Sequence, residues 1–179
     1  MDVLVLDSQY DDLEEVKRMM TRKNSRFYLV NAKTIGADWK VLWYHPRGRG
    51  STKRPAAIKI DVLLPGIMQL PSFDPYWIDH DNTRSLPTAP LLLVLLHKVL
   101  GWSERIDSTG HHYEKHRQDA NDVATLAPLA SRMGVTIHDN VLPDEFIESA
   151  SEWVNDFIAT YPKLRTRYHW RKIGFHTYA

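Results

Sequence analysis

Ala57-Ile58-Lys59-Ile60-Asp61-Val62-Leu63-Leu64-Pro65-Gly66 is the stretch on which the reading of this chain turns. It is apolar, rich in branched residues and closed by Pro-Gly, the pattern of a buried central strand. Lys59 and Asp61 stand two residues apart, so their side chains share one face. Two readings fit. Either the strand is half-buried and its polar face meets solvent, or it presents Asp61 as a metal-binding carboxylate.

Outward from that strand, the chain alternates short strands with one helix before turning helical. Asp2 to Leu6 reads as a strand that begins almost at the first residue, so the chain is expected to start inside a larger unit. Ser8 and Asp11 offer capping oxygens for a helix from Tyr10 to Met20, with Leu13, Val16, Met19 and Met20 as its apolar stripe. Arg26 to Val30 and Trp39 to Tyr44 read as two further strands. The latter is expected to pair antiparallel with the Asp61 strand across a basic loop, Arg47 to Arg54. Trp77 and Ile78 suggest a short strand. Thr88 is expected to cap a helix with Pro90 in its first turn, Leu91 to Leu100 as its body and Gly101 as its stop. That helix is apolar nearly all round and is expected to be covered on every side, by a partner if need be. It falls well short of the roughly 20 residues a membrane span needs. Ser103 to Gly110 reads as a polar hinge. Longer helices follow over His112 to Arg132, interrupted or shifted near Pro128, and over Pro143 to Thr160. The expected class is α+β: a small mixed sheet with a flanking helix in residues 1–87, then a helical bundle in 88–179.

The 179 residues can bury a sizeable core, and 43% hydrophobic with 25% charged residues fits a water-soluble globular chain. There is no cysteine, which excludes disulfides, thiolate zinc sites and cysteine nucleophiles. A net charge of +1 argues against attraction to nucleic acid over the whole surface. The opening Met1 to Asp7 lacks a basic leader, and the expected compartment is the cytoplasm.

Four groups of residues could carry chemistry. Asp2 and Asp61 are charges on hydrophobic strands, costly unless exposed, paired or ligating metal. On neighbouring strands they would form an oxygen-rich site suited to Mg²⁺. Lys98, Lys115, Asp119 and Asp122 form a second group. Lys115 and Asp119 share a helix face, and the plain reading is a solvated ion-pair ladder. His112 and His116 have a zinc-compatible spacing. The order His112-Tyr113-Glu114-Lys115-His116 is not that of a metalloprotease, and surface histidines are expected. In the tail, Lys163, Arg165, Arg167, Arg171 and Lys172 interleave with Tyr161, Tyr168, Trp170 and Phe175. That pattern either binds single strands by stacking and phosphate contact or packs a terminal helix with its cations outward, the latter being preferred.

Taken together, the strand, the helix, Arg26-Phe27-Tyr28-Leu29-Val30, Lys40-Val41-Leu42-Trp43-Tyr44 and Lys59 to Gly66 resemble the nucleotidyltransferase fold of the DNA polymerase beta superfamily. The likeness is greatest to stand-alone nucleotidyltransferase-like proteins of mushroom-forming fungi. Leu86-Pro87-Thr88-Ala89-Pro90, Leu96-His97-Lys98, Gly101-Trp102 and Lys115 with Asp119 and Asp122 extend it to about residue 160. They are also similar to toxin-type nucleotidyltransferases of bacterial abortive-infection systems. The resemblance implies metal-dependent transfer of a nucleoside monophosphate from a nucleoside triphosphate to an unknown acceptor. It implies Asp2 and Asp61 as catalytic, Mg²⁺-holding carboxylates. Lys98, Lys115, Asp119 and Asp122 are implied on the nucleotide-binding, helical side. In the superfamily a glycine turn and a first carboxylate precede the residue matched by Asp2. The chain as it stands is therefore expected to be a truncated or degenerate, feeble or inactive transferase. The alternatives are a binding module that holds nucleotide, RNA or protein through the 47–54 loop and the 161–175 tail, and a structural remnant.

Overall fold

The computed structural model describes residues 1–6, 12–46, 57–80, 87–107 and 109–178, the side chains of 79, 80, 111 and 112 excepted. The expected caps Ser8 and Asp11 and the basic loop 47–54 lie outside these. The chain folds into two compact units, Met1–Leu70 and Pro71–Ala179. The α+β class expected from the sequence is borne out.

The first unit is a four-stranded mixed sheet with one helix. Its strands are β1 (Asp2–Leu4), β2 (Phe27–Asn31), β3 (Lys40–Tyr44) and β4 (Ile58–Leu63), and the helix is α1 (Leu13–Lys23). The spatial order is β1-β4-β3-β2. β1 runs parallel to β4, while β3 pairs antiparallel with both β4 and β2. Alternation along β4 decides the register. Ile60 and Val62 pack with Leu42 of β3 and Val16 of α1 in a core joined by Val3, Leu13, Met20 and Leu29. Lys59 and Asp61 consequently point to the other face. The strand is half-buried, with a polar face.

Helix α1 starts at Leu13, three residues later than the expected Tyr10, and ends at Lys23 rather than Met20. Asp12 accepts a hydrogen bond from the Glu14 amide at 2.8 Å, and Glu14 and Glu15 lie in the first turn. A second tie fixes the helix to the sheet. The Lys17 ammonium donates to Glu14 Oε1 at 2.6 Å and to the Lys40 carbonyl at 2.8 Å.

In the second unit a two-stranded pairing of β5 (Asp79–His80) and β6 (Pro87–Thr88) precedes four helices. The expected strand at Trp77 and Ile78 is instead a 3₁₀ turn, Pro75–Trp77, with the Asp74 side chain accepting from the Tyr76 amide. The helices are α2 (Leu91–Ser103), α3 (His111–Arg132), α4 (Asp144–Thr160) and α5 (Arg167–Ile173). α2 packs on α3 and α4, and α3 on α5.

Several expectations are corrected. Thr88 lies in β6, and the residue before α2 is Pro90, with no side-chain cap. Pro128 does not break α3, which is continuous through it. Burial of Val123, Ala127 and Ala130 on the same helix supplies packing that outweighs the cost of a proline, about 3 kcal/mol in an isolated helix. α2 is not covered on every side, because Val94 is 38% exposed while Leu92, Leu95, Leu96 and Val99 are buried.

The tail follows the packing reading. Trp170, Ile173 and Phe175 are buried, whereas Lys163, Arg165, Arg171 and Lys172 are exposed. Gly174 ends α5 at φ +113°, where a Cβ would lie 2.7 Å from Ile137 Cγ1. Gly174→Ala is therefore expected to cost about 2–4 kcal/mol, from left-handed strain and overpacking together, as read from a urea unfolding curve.

Candidate functional site

The parallel pairing of β1 and β4 places Asp2 directly opposite Asp61. The Asp61 amide donates to the Met1 carbonyl and the Val5 amide to the Leu63 carbonyl, at 2.9 and 3.0 Å, which continues the ladder beyond the strand ends. Residues paired across neighbouring strands share a face, so both carboxylates stand on the side of the sheet away from Val16. Trp43 and Tyr28 are on that face too, since Lys59 pairs with Trp43 and Trp43 with Tyr28. Asp61 is not alone. The Lys59 ammonium lies 2.7 Å from its Oδ1 and 3.0 Å from its Oδ2, both side chains being about half exposed. Lys59, Asp61, Lys17, Trp39 and Lys40 also border a cavity of about 60 Å³. That is room for a water or two, so an organic ligand would have to use the open face of the sheet.

The donor set is chemically apt for a hard cation. Mg²⁺ is commonly held by one or two carboxylates together with substrate phosphates, and a facing Asp pair supplies the protein's share. Among the described residues, no three His, Asp or Glu side chains gather as they would for a metal held by protein alone.

The second group assembles differently from the expected ladder. Lys98 of α2 reaches Asp119 Oδ1 at 3.3 Å and Asp122 Oδ2 at 2.8 Å on α3, while Arg105 meets Asp119 Oδ2 at 2.8 Å. Lys115 is exposed and stands outside this cluster. Burial opposes the charge on Lys98, but the hydrogen bond to Asp122 and the charges of both carboxylates outweigh it and raise its pKa. The cluster thus ties α2 to α3.

Arg105 was hidden within an expected hinge. Gly101, expected to stop α2, lies inside it; a Cβ there would come 2.8 Å from the Arg105 guanidinium, which donates to the Gly101 carbonyl at 2.5 Å. The helix keeps its glycine for that close approach.

The expectation of surface histidines is overturned for His116, which is buried and stacked on Trp102 with ring centroids 5.7 Å apart. Its place at the inner face of α3, beside Ala120 and Val123, accounts for this. On α2, His97 stacks on Phe146 at 6.2 Å, and its buried Nε2 finds no partner among the described residues.

Two measurements check these assignments. Asp119→Ala, which leaves Arg105 without a carboxylate and Lys98 with Asp122 alone, is expected to lower unfolding free energy by about 1–3 kcal/mol, and Asp122→Ala by less than about 1 kcal/mol. Burial holds His97 below the ordinary value of 6.5. The unfolded chain then binds its proton more readily, so stability is full above that value and falls as pH drops below it, levelling off beneath the lower folded pKa. The acid-side loss of Tm should shrink in His97→Gln.

No family model, curated protein or solved structure matches this chain. Among the described residues, no helix is long and apolar enough to cross a membrane.

Proposed function

We propose that the open face of the first unit is a nucleotidyltransferase-type site, in which Asp2 and Asp61 share the binding of Mg²⁺ and a nucleoside triphosphate. The observation that carries this reading is the Asp2–Asp61 register on adjacent parallel strands, with the covering helix on the opposite face. When bound, Mg²⁺ supplies neutralisation of phosphate charge. Asp2 and Asp61 would hold it, and the Lys59 ammonium, now on Asp61, would be free to pair with a phosphate oxygen once that carboxylate is engaged. In an intact enzyme of this type a carboxylate would help activate the acceptor hydroxyl for attack on the α-phosphorus, with pyrophosphate leaving; this chain is proposed to keep the binding half of that chemistry and to transfer feebly or not at all.

Lys98, held by Asp119 and Asp122, and the exposed Lys115 both lie in the second unit, and the proposal rests on neither.

Calorimetric titration of the chain with ATP, GTP, CTP and UTP, with and without Mg²⁺, tests the proposal. Magnesium-dependent binding is expected, weakened roughly tenfold or more in Asp61→Asn and in Asp2→Asn. Lys59→Met separates two roles: freeing Asp61 should tighten Mg²⁺ binding alone while weakening the triphosphate. Binding that is indifferent to Asp61→Asn, or absent in a folded chain, overturns the assignment.

A further inference from the structure

The C-terminal segment folds back to form a wall that none of the residues considered so far requires. The Asn155 amide group donates to the His176 carbonyl at 3.2 Å, and its Oδ1 accepts from the Tyr178 amide at 3.1 Å. Arg171 Nε donates to Thr177 Oγ1 at 2.8 Å. These bonds pin residues 176–178 to α4 and α5, and they border an open cleft of about 700 Å³ against the turn that carries His138. The opposite wall is itself fixed. Thr136 accepts from the His138 amide, and Asp139 accepts from the Thr136 amide, closing a capping box. Gly174 lies between the two walls, and a Cβ there would stand 3.1 Å from His138 Nε2. The floor is therefore bare backbone.

The chemistry of the lining is one-sided. Among the described residues it includes Arg171, His138, His176, Thr177 and Tyr178, and no carboxylate. Arg171 spends only Nε on Thr177, so among the described residues the two outer guanidinium nitrogens remain for a ligand. A guanidinium edge with two imidazoles and a phenol presents donors from several directions, the arrangement that suits a phosphate group. The volume is large enough for a phosphorylated small molecule and falls in the range of ordinary ligand pockets, roughly 300–1,000 Å³.

We propose that the cavity between the His138 turn and the 174–178 segment binds the phosphate of a small phosphorylated metabolite. The site lies wholly in the second unit and does not rest on the Asp2–Asp61 reading.

The test follows the imidazole C2–H resonances of the full chain while inorganic phosphate, and separately ribose 5-phosphate, is added. Saturable shifts of His138 and His176, with the half-buried His97 and the buried His116 unmoved, are expected, and ribose 5-phosphate should bind more tightly than inorganic phosphate. Arg171→Gln should weaken binding roughly tenfold or more, and His138→Gln should weaken it less. If Arg171→Gln fails to fold, the histidine shifts in the unaltered chain and His138→Gln still decide. Silence at His138 and His176 overturns the proposal. So does equal affinity for chloride and phosphate, or binding of single-stranded RNA at this face with no response to either small phosphate.

Discussion

The parallel pairing of β1 with β4 is the constraint on which the first unit depends. Side chains alternate along a strand, so a slip of one residue would exchange Asp61 for Ile60 or Val62 on the core side. Val16, Leu42, Ile60 and Val62 are all buried and together forbid that slip. Asp61 and, opposite it, Asp2 stand on the outer face because the apolar residues between them must be inside. The carboxylate pair is thus held by hydrophobic packing rather than by its own interactions. Lys59 offsets part of the repulsion between the two charges, and it does so at a half-exposed position where the pair remains accessible.

The helical unit solves a different electrostatic problem. Asp119 is only 13% exposed, and a carboxylate there is tolerable because Lys98 and Arg105 approach it from two sides. Gly101 lets the guanidinium in by having no side chain. The same cations that would attract a phosphate are already engaged by protein carboxylates, so the cluster's immediate role is to join α2 and α3. Around it the bundle packs rings: Trp102 is buried, stacks on His116 and donates to the Tyr161 hydroxyl at 3.3 Å.

The tail shows how one interleaved pattern can serve two ends. Trp170 and Phe175 are buried, which removes them from any stacking platform and anchors α5. Their neighbours Arg171 and His176 are left outside, on a backbone whose path is set by Gly174 and by the two hydrogen bonds of Asn155. An open cleft lined by Arg171 and His176 arises where the anchored helix ends.

The sequence by itself determined the α+β class, the strands around Arg26 to Val30, Lys40 to Tyr44 and Ile58 to Leu63, and the long apolar helix, because period-two and period-3.6 patterns are local. It also placed Asp61 and Lys59 on one face, since two residues of strand suffice for that. Only the tertiary structure decided that Asp2 faces Asp61, that Arg105 rather than Lys115 joins Asp119, and that His116 lies inside. Each depends on which element a face meets, and no local window contains that information. Gly101 and Pro128 make the same point from the opposite side. Their intrinsic preferences would end a helix, yet packing against neighbouring elements contributes more than the local terms oppose, and both helices run on.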